Sequence, residues 1–528
     1  TTTHTPTNIN CLLSPLDKNS TTVLSNGNRT QSDLGASWRV VKSTFTLPTT
    51  GKWYWEMTWS TGSSDGHVFG VCLNSFNPLT ISASGNAGAY AWSTYGSKYI
   101  GATSSSYATA PTNSDKIGYL FDADAGTLVF YKNNVSQGTL ATGLTFASVG
   151  LLNVYSNLYD SWVPTFHFNE AEWEYSAPTD HKALTTTVLA ETTTRTVSDI
   201  NAHWNQLLYT GTATAIGSGG QSITGAGFAP DFVWIKQRSA VARSHVLNDS
   251  VRGATNNVYP DLTNAQGAVA ENIASFDSDG FTIGGGNGTS ANGDTYVAWC
   301  AKLGGAPSAS NSESAGAAPT SGSVMIDASA SGANLAGSIA ATKITANTTL
   351  GMSVVTYTGT GSNATIAHGL GVAPEMIIVK RTDSASGWYV QHTGMLATQF
   401  VQLNATGAVA ANASVWNSAF PTSTVFNIGT NAVTNASSAT YVALCFAPSE
   451  LISLGSFEGN GNANGTFAPT LNSLFVPIQP IFFISKNVDA TNNWDMRDTA
   501  RSPYNPSTHN IQPSTSSAEV NGTDYVDI

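Results

Sequence analysis

The chain runs to 528 residues, enough for three or four domains of roughly 150 residues each. Only 10% of residues are charged and the net charge is −12, so no broad phosphate-tracking surface exists and nucleic acid is excluded as a partner. Its 13 Trp, 18 Tyr and 21 Phe nearly equal the 54 charged residues (21 basic, 33 acidic), the reverse of a disordered chain. From the start, Thr1–Asn10 shows neither the basic leader nor the apolar stretch of a signal peptide. The missing initiator Met points to processing or a fragment. No apolar run reaches the roughly 18 residues of a membrane span.

Helical periodicity is nearly absent. Short β-branched and aromatic runs recur about every ten residues between Gly, Asn, Ser and Thr clusters, which predicts an all-β fold. Lys116-Ile-Gly-Tyr-Leu-Phe121 and Thr127-Leu-Val-Phe-Tyr131 flank Asp122-Ala-Asp-Ala-Gly126 and read as a hairpin, with Gly126 free to take a positive φ. That turn lacks the further ligands of a calcium loop.

The second half repeats. Phe228-Ala-Pro230-Asp-Phe-Val-Trp-Ile-Lys236, Val372-Ala-Pro374-Glu-Met-Ile-Ile-Val-Lys380 and Ile478-Gln-Pro480-Ile-Phe-Phe-Ile-Ser-Lys486 each place Pro six residues before Lys. Pro suits strand entry and Lys the exit to solvent. Upstream of each stands an aromatic and a glycine, at Tyr209-Thr-Gly, Tyr357-Thr-Gly and Phe457-Glu-Gly. Downstream, Phe281-Thr-Ile-Gly284 and Phe426-Asn-Ile-Gly429 are each followed, fifteen residues after the Phe, by Tyr296-Val-Ala-Trp-Cys300 and Tyr441-Val-Ala-Leu-Cys445. In the third copy the corresponding strands would fall just past residue 528, so that copy is expected to be incomplete. A continuing chain or a partner would then cover its sheet edge. Residues 305–352, dense in Ala, Ser, Gly and Thr, read equally as a flexible linker or as an extended segment ordered by neighbouring chains.

Gly51-Lys-Trp-Tyr-Trp-Glu56, Val68-Phe-Gly-Val71 and the hairpin ending Tyr131-Lys-Asn-Asn134 resemble the SPRY branch of concanavalin-A-like sandwiches. Asn10-Cys-Leu-Leu-Ser-Pro-Leu-Asp17 and Phe166-His-Phe168 look like versions found in bacteriophage proteins. The Pro-to-Lys repeats, with Val251-Arg-Gly-Ala254 and His368-Gly-Leu-Gly371, look like modules of large marine-phage virion proteins. The resemblance implies a SPRY/concanavalin-like β-sandwich at 1–178 (1–7 a leader) and a linker at 179–205. Smaller β-sandwich modules follow at 206–304, 353–448 and 449–528, with the 305–352 linker between the first two. It further implies a virion appendage such as a tail fibre, whose partners are other virion proteins, further copies in a homotrimer, and host-surface glycan; a head-decoration or connecting protein without a receptor role is the alternative.

Glu170-Ala-Glu172-Trp-Glu174 is the enzyme candidate. On a strand its three carboxylates would share a face, as in glycosidases that pair an acid with a nucleophile. Its place at the sandwich edge favours a charge-blunted edge strand instead. Gly217-Ser-Gly-Gly220 and Gly284-Gly-Gly286 lack the Lys-Ser/Thr of a phosphate loop. The four cysteines form no metal or disulfide pattern, and no cofactor or metal is expected. Trp53 and Trp55 read as core. Among Tyr90, Trp92, Tyr95, Tyr99 and Tyr107, interleaved with small polar residues, we single out Trp92, Tyr95, Tyr99 and Tyr107 as glycan-stacking candidates.

Overall fold

The computed structural model describes residues 11–19, 21–32, 38–60, 66–74, 88–159, 162–185, 199–239, 241–312, 318–333, 335–457, 480–503 and 507–526. The fold is all-β, with helices of only one turn. No helix among the described residues is long and apolar enough to cross a membrane. Two compact units emerge, one reaching Arg195 and one built from Thr196–Ser456 and Ile478–Ile528. The expected leader at 1–7 with residues 8–10, residues 186–198 of the expected linker and the glycine-rich segment after Phe457 lie outside the described residues.

The first unit is a sandwich of a seven-stranded and an eight-stranded sheet. In the strand Lys52–Trp59, Trp53, Trp55 and Met57 point into the core between the sheets, as alternation requires. Tyr54 and Glu56 take the other face. The buried Glu56 carboxylate accepts the Tyr54 hydroxyl at 2.7 Å and the Glu174 and Tyr175 amides at 2.7 and 3.0 Å, which ties the 169–175 turn to the sheet. The predicted hairpin pairs Ile117–Asp122 with Thr127–Lys132 in register. Its turn is closed by Gly126 at φ 64° and by the Ala125 amide donating to Asp122 Oδ1 at 2.8 Å. His67 is sealed in the core. Its Nδ1 accepts from Trp59 Nε1 at 2.9 Å, so Nε2 carries the proton and donates to Ser156 Oγ at 2.8 Å.

The second unit holds the three repeats, and they form a closed ring rather than a row. In the first two modules the main sheet is apolar on both faces. In the strand Thr295–Ala301, Tyr296, Ala298 and Cys300 pack into the first module's own core while Val297, Trp299 and Ala301 enter a second one. In Thr440–Phe446 the same division puts Tyr441, Ala443 and Cys445 in the second module's core, and Val442 and Leu444 in that same second cluster. Trp494, Met496 and Ile511 of the third module complete it, so one core is shared by all three.

Around this shared core four hydrogen bonds recur at every seam. Lys380 Nζ reaches Thr263 O at 2.9 Å, Lys486 Nζ reaches Thr406 O at 3.2 Å and Lys236 Nζ reaches Ser516 O at 3.3 Å. The same three carbonyls accept the amides of Ser386, Asn492 and Arg243 at 2.8 to 2.9 Å. Three residues on, the amides of Gln266, Val409 and Glu519 donate back to the carbonyls of Thr382, Val488 and Arg238 at 2.8, 2.8 and 3.2 Å. Four residues before each shared carbonyl, Tyr259 O takes Trp388 Nε1 and Gln402 O takes Trp494 Nε1, both at 2.9 Å, while Gln512 O takes His245 Nε2 at 3.2 Å. The second module thus grips the first, the third grips the second, and the first grips the third.

Two expectations are corrected by this architecture. The lysines do not mark exits to solvent: Lys236 and Lys380 are fully buried, because each is consumed by a seam, and burial pushes both down to about 8. Residues 305–352 are not a linker or a segment ordered by other chains, since Val324–Ile326 and Lys343–Asn347 extend the second module's sheet alongside Met352–Thr358. The paired aromatics do explain the fifteen-residue spacing. Tyr209 stacks on Tyr296 and Tyr357 on Tyr441, with ring centres 5.1 and 5.0 Å apart. The Tyr296 and Tyr441 hydroxyls then fasten the one-turn helices Asn287–Ser290 and Ala432–Asn435. In the third module, the described residues include strands Phe482–Lys486, Trp494–Asp498, Ser507–Asn510 and Val520–Val526, but no counterpart of Thr295–Ala301.

Two outcomes follow. Trp388→Ala removes a ring from the shared core and a seam bond, so it should cost about 3–5 kcal/mol and destabilise all three modules together. Calorimetry would then record one lowered transition for the second unit, not one of three. In the first unit, burial lowers His67 to about 3, below its unfolded value near 6.5, so it stays neutral in the fold. Its contribution is whole above about pH 6.5 and drains at about 1.4 kcal/mol per pH unit as pH falls towards 3. Denaturant melts of His67→Gln should lose that part of the slope.

Candidate binding face of the first unit

Both faces of the seven-stranded sheet are apolar. Inward go Val41, Phe69, Val71, Trp92, Val154 and Leu158. Outward, Val40, Val68, Cys72, Ala89, Ala91 and Tyr155 form a second, smaller cluster, with Trp38, Leu73 and Tyr99 half-buried against it. The Trp38 and Tyr159 rings lie 5.5 Å apart. Gly66 separates Trp38 from Tyr95: a Cβ there would come within 2.6 Å of the Trp38 ring and 2.9 Å of the Tyr95 ring. Only a glycine lets those two rings close over this point of the backbone. Tyr95 is 57% exposed. At the end of the same sheet, Thr103–Ser106 forms an edge strand of four exposed hydroxyls, paired with Ser97–Ile100.

The structure divides the four candidate rings. Tyr95 and Tyr99 stand on the outer side. Trp92 is corrected to a core residue: it is fully buried, its neighbours Ala89 and Ala91 take the outer face, and its ring lies 5.7 Å from both Phe69 and Phe130. Tyr107 packs edge-on against Trp92 at 5.5 Å, and its hydroxyl is spent on Gly138 O at 2.5 Å. Burial pushes that hydroxyl up to about 12. The Lys98 ammonium sits 5.9 Å from the Tyr107 ring centre and donates to Leu140 O, so this pair ties the edge strand Val135–Ala141 of the eight-stranded sheet to the seven-stranded one. Tyr107 therefore offers a ring edge at most.

Trp38 and Tyr159 were missed. Each ends a strand in which both parities mix apolar and polar residues, as Val40 with Lys42 and Tyr155 with Asn157, so alternation could not tell the outer face from the inner one. The Thr103-Ser-Ser-Ser106 run was the readable sign of an exposed edge.

The acidic triplet is not a strand. Glu170–Glu172 is a single 3-10 turn, capped by Asn169 Oδ1 accepting from the Ala171 amide at 3.0 Å. Without alternation the carboxylates diverge: Glu172 pairs with Arg29, Glu174 with Lys116, and Glu170 is exposed. The expected common face therefore does not form. The four cysteines are buried free thiols, and burial pushes Cys11 and Cys445 up to about 12. Among the described residues no group of three or more His, Cys, Asp or Glu is placed to hold a metal.

A SPRY domain matches residues 52–159. A family described as "Domain of unknown function (DUF7483)" matches residues 199–331 and 325–528, the first match holding the first module and the second match the other two. Solved structures similar to the chain include the SPRY domain of human HERC1, at 14% identity and a TM-score of 0.26, covering 29% of this chain and 96% of that one. A human SPRY domain follows at 14% identity and 0.23, covering 28% and 95%. A TRIM65 PSpry domain stands at 16% identity and 0.24, covering 30% and 89%. No curated protein matches the chain.

The division of the rings has a direct test. Trp92→Ala should destabilise the first unit by about 3–5 kcal/mol, while Tyr95→Ala should stay within about 0.5 kcal/mol of the parent in thermal or urea melts.

Proposed function

This chain belongs to the DUF7483 family, and we propose that it is a structural and adhesive component of a phage virion appendage, such as a tail fibre, whose SPRY domain contacts host-surface glycan. The observation that carries the reading is the outer side of the first unit's seven-stranded sheet, where Tyr95 is exposed and Trp38, Tyr159 and Tyr99 stand half-buried beside a buried apolar cluster. Flat rings stack on the apolar faces of sugars, and the Thr103–Ser106 hydroxyls at the sheet edge donate and accept as sugar hydroxyls require. The low charge of the chain favours contact through rings and hydroxyls over ion pairs, and such contact is insensitive to salt. The virion assignment is supported by the likeness of the Pro-to-Lys repeats to phage modules.

In this reading the ring is the stiff mount and the SPRY domain the contact. The homotrimer belongs to the proposal as an assembly of whole chains, since the threefold arrangement of modules is already complete within one.

The test is binding of the full chain to arrayed surface glycans of bacterial hosts. Binding that falls about tenfold or more in Tyr95→Ala and Trp38→Phe, with folding intact, is the expected result. Absence of glycan binding, or equal binding by both variants, overturns the assignment of this face.

A further inference from the structure

The three seams of the ring share their backbone and lysine bonds but differ in side chains: the seam between the first and third modules carries ion pairs of Glu519 with Arg238 and Arg501 where the others have Gln266 and Val409, and its aromatic position differs as well. Where the second and third modules place Trp388 and Trp494, the first places His245, and all three ring nitrogens reach a carbonyl of the neighbouring module. A position on the adjoining strand, two residues before each seam lysine, differs in step. The first module has Trp234 where the others have Ile378 and Ile484, each four residues after the repeat's proline. Trp234 Nε1 donates to His245 Nδ1 at 2.9 Å. Nδ1 is thus an acceptor, and Nε2 carries the proton given to Gln512 O. The imidazole is fully buried and is held in one tautomer by partners from two different modules.

We infer that the seam between the first and third modules is an acid-operated latch: protonation of His245 opens it while the two tryptophan seams stay shut. The imidazolium has two donors and no acceptor, so Trp234 Nε1 would face a second N–H with nothing to receive either. The new charge would also be badly placed. Lys236 lies on the adjoining strand and Arg501 on the third module, and both already repel a positive imidazole. Arg243 stands two residues away on the same segment. Two acids face this region. Asp261 Oδ1 accepts the His245 amide at 3.0 Å. Glu519 is engaged by Arg238 and Arg501 at 3.0 Å each, with His509 at 3.9 Å. Burial alone would raise Glu519, but the Arg238 hydrogen bond and the two guanidinium charges outweigh it and hold the carboxyl below its ordinary value. Glu519 is therefore committed to the arginines in the closed seam. Burial, with Lys236 and Arg501 beside it, holds His245 well below the ordinary imidazole value in the closed ring.

The sign follows from linkage. The closed seam keeps His245 neutral and the open seam frees it to take a proton near its ordinary value of about 6.5, so closure is fully favoured above that pH. Below it, the open fraction of this seam grows about tenfold per pH unit until the closed-state value is reached. No such group sits at the equivalent place in the other seams.

Hydrogen exchange on the full chain between pH 7 and 4, corrected for the intrinsic pH dependence of exchange, tests this directly. Amides of Arg243 and Glu519 report the histidine seam, those of Ser386 and Gln266 the seam between the first two modules, and those of Asn492 and Val409 the third. Protection at Arg243 and Glu519 should fall about tenfold per unit below pH 6.5 relative to the other four amides. Parallel loss at all three seams, or none by pH 4, overturns the proposal. Asp261→Asn keeps an acceptor for the His245 amide and cannot titrate, so the selective loss should persist. Its disappearance would make the carboxyl the trigger and overturn the proposal. Trp234→Ile with His245→Trp rebuilds the pair found in the second module. That variant should lose the selective response, and its retention of the response would count against the imidazole.

Discussion

Everything in the second unit depends on strands that have no face left for water. In a sheet exposed on one side, alternate residues can be polar. In Tyr296-Val-Ala-Trp-Cys300 and Tyr441-Val-Ala-Leu-Cys445 neither parity is. A single module covers one side with its own small sheet, and the other side carries Trp299, Val442 and Leu444 with nothing of its own to meet them. Burying that surface is worth about 25 cal/mol per Å² of apolar area, far more than any one hydrogen bond in the ring. The modules associate because each leaves half its sheet uncovered. The seam bonds then decide the angle at which they meet, since Lys236 and Lys380 are costly to bury without their carbonyl partners.

Much of this was legible. The Pro-to-Lys spacing found the repeats, and the run Tyr-Val-Ala found their closing strands. What sequence could not supply was the arrangement of one copy against the next. A lysine after an apolar strand reads as a strand leaving for solvent, and that reading fails where a neighbouring backbone offers carbonyls within 3 Å or so. The 305–352 segment misled for a related reason. Its Ala, Ser, Gly and Thr residues lack the bulk that marks a strand. Yet Val324, Ile344 and Ala346 are enough to add strands to a sheet whose other members supply the volume.

The first unit follows the same logic on a smaller scale. Trp53 and Trp55 were readable as core because the facing positions Tyr54 and Glu56 carry polar atoms. Trp92 and Tyr99 were not separable, because Tyr90, Ala91 and Trp92 give no polar residue to orient the strand. The acidic triplet failed through its local geometry. Asn169 caps a turn and breaks the period of two on which the shared-face argument rested.

The ring also changes what a mutation can do. Three identical chains meeting around an axis carry any replacement three times over, so a contact can be altered only at every boundary at once. Here the three boundaries are written separately along one polypeptide. Two carry an indole and one an imidazole, and where those two have isoleucine on the adjoining strand the third has tryptophan. Covalent linkage has released the modules from symmetry while preserving its geometry, and one joint can acquire a property that the other two lack.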